Sequence, residues 1–309
     1  MNSGVIVMAG ASGFMGRRLQ EAFRHDGFEV RTIGRGAQND AQWDDDLAPV
    51  LDGADALLNL AGRSVSCRYT KKTADEIFSS RTETTRSLGE ALARCPNPPS
   101  VWLNASTGTI YRDARDRPQD EVDGELGTGF SVSVARAWEC ELFDAPTSVR
   151  KVALRTSIVL GADGGALSPL INLARLGFSG PQGDGDQVFS WIHLDDVYCA
   201  VRHIMADERI AGPVNLASPH PVRNRTLTAA VRRHFAGRLP DRGVPLPRWS
   251  LEFGGRVIRT EPELVLKSRW VEPGVLTTTG YEFAFPGLDE ALADIAKETP
   301  RGLLRVQLG

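Results

Sequence analysis

Apolar residues along the first half of the chain follow two alternating rhythms. Short apolar runs at 4–8, 29–33, 55–60, 100–105 and 149–158 have the length and residue types of buried strands. Between them, 14–26, 71–94 and 130–144 repeat apolar positions at helical spacing. In the first of these, Phe14, Leu19 and Phe23 share one face and Arg17, Arg18, Glu21 and Arg24 the other. Strands alternating with helices predict an α/β fold, a doubly wound parallel sheet covered on both faces.

The rhythm changes in the second half. Glycine and proline punctuate it, at Gly161 to Gly165, Gly177 to Gly185, Pro245, Pro247, Pro262, Pro273 and Pro286. Two pieces still read as sheet units: 188–193 with a helix over 194–206, and the run Val214-Asn215-Leu216. The expected organisation is a main domain of 1–160 and 188–218. A smaller, discontinuous α+β cap domain takes 161–187 and 219–309. Within the cap, Leu246, Trp249, Leu251, Phe253, Val257 and Ile258 fit a helix packing inward.

Composition narrows the class without changing it. The 309 residues are 41% hydrophobic and 24% charged, ordinary for a soluble globular protein with a sizeable core. A net charge of −3 provides no bulk attraction to nucleic acid or to a membrane surface, so neither partner is expected. Cys67, Cys95, Cys140 and Cys199 form no Cys-x-x-Cys pair and read as reduced thiols. No basic-then-apolar leader precedes the first strand, and no apolar run approaches the roughly 18 residues of a membrane span. The expectation is a cytoplasmic protein.

The chemistry begins at Gly10-Ala11-Ser12-Gly13-Phe14-Met15-Gly16, directly after the run Val5-Ile6-Val7-Met8. A strand entering a glycine-rich turn and then a helix is a dinucleotide-binding start, and makes the sheet Rossmann-type. Gly10 permits the tight turn, Gly13 lets backbone approach a pyrophosphate, and Gly16 lets helix and strand pack closely. The helix N-terminus offers its N–H groups to the phosphates. The second strand ends in Gly34-Arg35-Gly36, with no acid to hold a ribose 2′-hydroxyl. Arg35, with Arg17 close behind Gly16, suits a 2′-phosphate, so NADP is expected over NAD. Asp44, Asp45 and Asp46 come after a loop and read as a solvated acidic stretch. His193, Asp195 and Asp196 precede a helical pattern and read as its start, with aspartate as the cap; no metal is expected.

Further motifs follow in order: Asn59-Leu60-Ala61-Gly62; Ser80-Arg81 with Thr85; Ser106-Thr107-Gly108-Thr109-Ile110-Tyr111; Trp138-Glu139; Trp191-Ile192-His193-Leu194-Asp195-Asp196; Gly212-Pro213-Val214-Asn215-Leu216; Gly280-Tyr281-Glu282-Phe283; and Pro286-Gly287-Leu288. Their order and spacing resemble the extended short-chain dehydrogenase/reductase superfamily. Within it, the chain resembles the epimerase-like family that carries its own C-terminal domain of unknown function. The resemblance implies that Leu60, Ala61 and Gly62 pass close to adenosine and pyrophosphate, that Arg81 and Ser106 border the cofactor, and that the substrate is a small molecule. Superfamily members often pair through the long helices matching 71–94 and 130–144, which admits a homodimer.

Relatives that transfer hydride use a Ser or Thr with a Tyr-x-x-x-Lys pair, whose cation and nicotinamide lower the phenol pKa. Thr107, four residues before Tyr111, matches the hydroxyl. The pair does not match. The corresponding stretch, Phe130 to Arg136, contains neither Tyr nor Lys, and no lysine occurs between Lys72 and Lys151. At the same spacing Tyr111 meets Arg115 and Tyr198 meets Arg202, and arginine stays charged. Arg136 keeps only the charge. Residues 178–191 contain no Arg or Lys, which counts against a nucleoside-diphosphate sugar. Two readings follow. One is an NADP(H)-dependent oxidoreductase or epimerase-like enzyme using Thr107 and Tyr111 or another acid in the cleft. The other is a non-catalytic NADP(H)-binding regulator or interaction protein.

Overall fold

The structure, a computed structural model, describes residues 4–65, 67, 69–162, 164–237, 243–244 and 267–306. The cap helix expected over 246–258 lies outside the described residues.

The first half alternates as its pattern predicts. The elements are β1 Val5–Ala9, α1 Phe14–His25, β2 Glu29–Gly34, β3 Ala41–Gln42, α2 Ala48–Leu51, β4 Ala56–Asn59, α3 Lys71–Arg94, β5 Val101–Thr107, α4 Phe130–Phe143 and β6 Arg150–Thr156. With β10 Gly212–Leu216, the strands form one seven-stranded sheet in the order β10-β6-β5-β4-β1-β2-β3, every pair parallel. Both faces are buried, so the strands read as continuous apolar runs. In β1, Ile6 and Met8 enter one core with Leu19 and Phe23 of α1; Val7 and Ala9 enter the other with Leu88 and Leu92 of α3. Fully burying side chains such as Leu19 and Phe23 stabilises the fold by about 1.5–3 kcal/mol each.

The run 149–158, expected as one strand, breaks at Ser157. The Ser157 N–H turns to the Leu216 carbonyl (2.9 Å), and the chain resumes as β7 Ile158–Leu160. The piece 188–193 also divides. β8 Val188–Phe189 pairs antiparallel with β11 Val222–Arg223, and β9 Trp191–His193 pairs with β7. Among the described residues of 188–218, only β10 enters the main sheet, while α6 Leu194–Ala206 packs against α1. A separate apolar cluster joins α5 Leu167–Arg175, α7 Asn224–Phe235 and α9 Leu288–Glu298 through Ile171, Val231 and Leu292.

Residues 268–273 run between these two bodies and bond to both. Ser268 and Trp270 carbonyls accept from Ala114 N–H (3.3 Å) and Gln119 N–H (2.8 Å), and Arg269 exchanges backbone bonds with Val188 and Ser190. A short helix, α8 Gly274–Thr278, follows.

Candidate functional site

The site lies at the carboxyl edge of the parallel sheet, where ligands of such folds bind. Gly10 has a φ of 79°, the left-handed region, and a Cβ there would lie 2.7 Å from the Leu60 carbonyl and 2.8 Å from the Ala61 nitrogen. The turn is therefore pressed onto the end of β4. A Cβ on Gly16 would meet the Gly10 carbonyl oxygen at 2.4 Å, so only glycine closes the α1 start against the loop. Gly13 differs: a Cβ there would touch only the Gly10 oxygen, at 3.4 Å. The protein leaves open the position at which a pyrophosphate would approach. Gly13 caps α1 without a side chain, and no acid occupies the first turn, so the helix end is available to an anion.

Ser12 and Gly13 are exposed, and Ala11 is buried beneath them. Phe14 turns away from the open side and packs under Gly161, Gly164 and Gly165, where a Cβ would come within 2.9 Å of its ring; Met15 is half-buried against the core. Arg17 donates to the Ser12 carbonyl (3.0 Å), which folds it back over the loop. Arg35, just beyond β2, is exposed and makes no hydrogen bond or ion pair with the described residues. The nearby acids are engaged elsewhere. Asp40 accepts from the Thr32 N–H (2.7 Å) and hydroxyl (2.9 Å), Asp45 from the Gln42 N–H, and Asp46 from the Ala48 N–H.

The β4 end is fixed by a buried polar set. Asn59 donates to Asn104 (2.7 Å) and accepts from the Ala61 N–H (3.0 Å), and Thr85 accepts from the Trp138 indole (3.0 Å). Arg81 lies against this set. Its guanidinium carbon is 3.2 Å from where a Gly62 Cβ would stand and 5.0 Å from the Trp138 ring centre.

Thr107 ends β5, half-buried. Its Oγ1 accepts from the Thr109 N–H (3.1 Å), capping the single 3-10 turn Gly108–Ile110. Ser106 is buried, and its hydroxyl donates to Glu139 (2.6 Å). Glu139 in turn takes a two-pronged pair from Arg155, at 2.9 and 2.8 Å. Arg155 also donates to the Tyr111 hydroxyl (2.9 Å), which donates to Asn215 (3.0 Å). Glu121 closes the chain of contacts by accepting from the Asn215 N–H (2.7 Å).

Tyr111 lies inside this chain of contacts. The phenol is 2% exposed, its proton is committed to Asn215 and its oxygen to Arg155, so it ties β6 to β10 instead of facing the edge. Burial raises its pKa; Arg155 and Asn215 offset this only in part, so the group stays protonated. The start of α4, where the resemblance leads to the expectation of a Tyr-Lys pair, is filled with apolar contacts. Val134 and Phe130 pack on Cys67, Val65 and Ile77, and the Tyr69 and Phe130 rings lie 4.8 Å apart. Arg136 is exposed on α4.

The aspartates at 195 and 196 start a helix but do not cap it. The cap is His193, whose Nδ1 accepts from the Asp195 N–H (3.2 Å). Asp195 pairs with Arg18 (2.9 Å). Asp196, fully buried, accepts from the Tyr281 hydroxyl (2.9 Å) and from the N–H groups of Ala284 (2.8 Å) and Phe285 (2.9 Å). It thereby clamps the C-terminal segment onto α6. Among the described residues, no group of three or more His, Cys, Asp or Glu is placed to hold a metal, and no helix is long and apolar enough to cross a membrane.

The contacts that join buried Glu139, Arg155 and Asn215 with half-buried Glu121 carry no local sequence pattern. One signal was present: Arg155 interrupts the apolar run Val152-Ala153-Leu154, and an arginine inside a covered strand requires an acid nearby.

Comparison with known proteins agrees with this architecture. Residues 246–295 match a domain of unknown function, DUF1731. The human epimerase family protein SDR39U1 is 30% identical over 94% of this chain and 99% of its own length. Its crystal structure with NADPH superposes with a TM-score of 0.83 over 95% of this chain and 99% of that one. A nucleoside-diphosphate sugar epimerase from Corynebacterium glutamicum is 27% identical, with a TM-score of 0.76; the match covers 96% of this chain and 59% of that one. Residues 6–217 match the model of the NAD dependent epimerase/dehydratase family, and the chain belongs to that family.

Proposed function

We propose that the protein is a cytoplasmic NADP(H)-dependent oxidoreductase or epimerase-like enzyme acting on a small substrate. The observation that carries the reading is the cradle itself: a glycine turn pressed onto β4, open above Gly13, with Arg35, just beyond the end of β2, exposed and without a partner among the described residues. The human relative crystallised with NADPH supports the choice of cofactor. In this reading Gly10 to Gly16 and Leu60 to Gly62 carry the dinucleotide backbone, while Arg17 and Arg35 take the 2′-phosphate. Thr107, at the carboxyl end of β5, offers its hydroxyl to the substrate oxygen. Ser106 and Tyr111 position that strand end through Glu139 and Arg155. When bound, NADPH supplies the hydride.

Binding of NADP+ and NAD+ compared by calorimetry tests the cofactor. A charge-assisted contact contributes about 1.5–3 kcal/mol, so Arg35→Ala should weaken NADP+ roughly 10- to 100-fold and leave NAD+ unchanged. Equal affinities in the unmutated protein would overturn the assignment. Loss of NADPH absorbance with a panel of carbonyl compounds, abolished in Thr107→Ala, tests the chemistry.

The enclosed Tyr111 and the apolar packing at 130–134 favour a second reading, a non-catalytic NADP(H)-binding regulator. Tight NADPH binding with no oxidation across the panel would select it.

A further inference from the structure

Arg81 is the one arginine of α3 that has no carboxylate among the described residues. Its neighbours are all matched: Arg63 beside it pairs with Glu76, Arg86 one turn on pairs with Glu141, and Arg94 pairs with Asp46. Arg81 instead donates to the Ile77 carbonyl (3.0 Å) of its own helix. Burial lowers its pKa to about 10, as expected for a cation drawn out of water without a compensating charge. Leaving a charge in that state is costly unless a ligand completes it.

The guanidinium is held rather than loose. It lies over the Trp138 ring, and the indole is anchored to Thr85 inside the Asn59–Asn104 set. Gly62, against which it packs, is exposed, and a Cβ there would crowd the guanidinium carbon at 3.2 Å. The sheet order fixes which part of the cleft this is. The glycine loop and Arg35 belong to β1 and β2. Arg81 stands on the other side, between the end of β4 and the α4 helix that contacts Ser106 on β5. A dinucleotide laid across the edge from Arg35 has its nicotinamide half on this side.

We propose that Arg81 is the anion-recognition group of the substrate site and receives a carboxylate or phosphate of the substrate beside the nicotinamide, in place of the cofactor contact expected for it from the family resemblance. The substrate class is then a small acidic molecule. A planar guanidinium with donors to spare matches either oxyanion through paired N–H bonds. The proposal rests on the reading of the cleft as an NADP(H) site and adds to it what lies opposite the reactive ring.

The experiment uses the full chain, first titrated with NADP+ by calorimetry. Failure of the unmutated protein to bind NADP+ would overturn the cofactor reading. The NADP+-loaded protein is then titrated with inorganic phosphate and, separately, with succinate. At least one probe should bind, and Arg81→Gln should weaken it by about tenfold or more while changing the NADP+ affinity by less than about twofold. Arg81→Lys, which keeps charge but not the fork, should fall between. A large loss of NADP+ affinity in Arg81→Gln would assign the residue to the cofactor pyrophosphate and overturn the substrate assignment. Binding of neither probe, or equal probe binding in the unmutated and Gln forms, would overturn it as well. Near-UV circular dichroism confirms that each variant keeps the native fold.

Discussion

Replacing Glu139 by leucine should be the most damaging single polar change in the main lobe. The side chains of Glu139 and Arg155 are 10% and 9% exposed and share two bonds of 2.9 and 2.8 Å. Burial works against the Arg155 cation, yet its bonds to Glu139 and Tyr111 outweigh burial and hold its pKa above the ordinary value. Removing the acid leaves that cation enclosed with a neutral hydroxyl as its remaining partner. Breaking a buried pair in this way costs about 3–5 kcal/mol, a large part of the roughly 5–15 kcal/mol that holds a typical protein folded. Arg155→Met should cost a similar amount by stranding the carboxylate. The double variant Glu139→Leu, Arg155→Met removes both charges. Its residual cost is that of the Ser106 and Tyr111 hydroxyls losing partners, about 1–3 kcal/mol each. Urea unfolding followed by tryptophan fluorescence and far-ultraviolet circular dichroism together gives the three values. The double variant should be more stable than the sum of the single losses implies by several kcal/mol. Single losses below about 1 kcal/mol, or strict additivity, would refute the account of an enclosed, mutually dependent pair.

Two other outcomes follow from the site. Burial raises the pKa of Tyr111, Tyr198 and Tyr281, with Tyr198 reaching about 12. A folded-state pKa above the unfolded value stabilises the fold fully below the unfolded pKa, and that contribution is lost as pH rises through the folded one; for Tyr198 the window runs from about 10 to about 12. Ultraviolet titration at pH 10.5 should therefore show far less tyrosinate in native than in denatured protein; full ionisation with native circular dichroism intact would contradict the burial. Asp196→Ala strands three donors, where bonds to a charged acceptor contribute about 1.5–3 kcal/mol each. Hydrogen exchange at Ala284 and Phe285 should accelerate by orders of magnitude, and unchanged protection would show that Asp196 is not the clamp.

The sheet was legible because its strands are apolar on both faces and its helices on one. The glycine loop was legible because its spacing has a single geometric use. β3 was missed: two residues, Ala41 and Gln42, carry no periodicity. The division of 188–193 was missed because an apolar run does not reveal which partner each half takes. At the site, local signals sufficed for the tight packing at Gly10 and Gly16. The enclosure of Tyr111 was not legible because its neighbours Arg155 and Asn215 lie 44 and 104 residues away along the chain. The part played by Asp196 likewise depends on residues near 284, which no local pattern announces.

The extended run at 268–273 and the start of α8 have an evolutionary corollary. Residues 6–217 coincide with the match to the family model, which invites treating them as a portable cassette. Yet the backbone of Ala114 and Gln119, the side chain of Asn215 and one carboxylate oxygen of Glu121, Oε2, find partners on the far side of that boundary. A shuffled gene ending near residue 217 would encode a sheet with those groups bare. The two segments should therefore be inherited together, each constraining which sequences the other can accept.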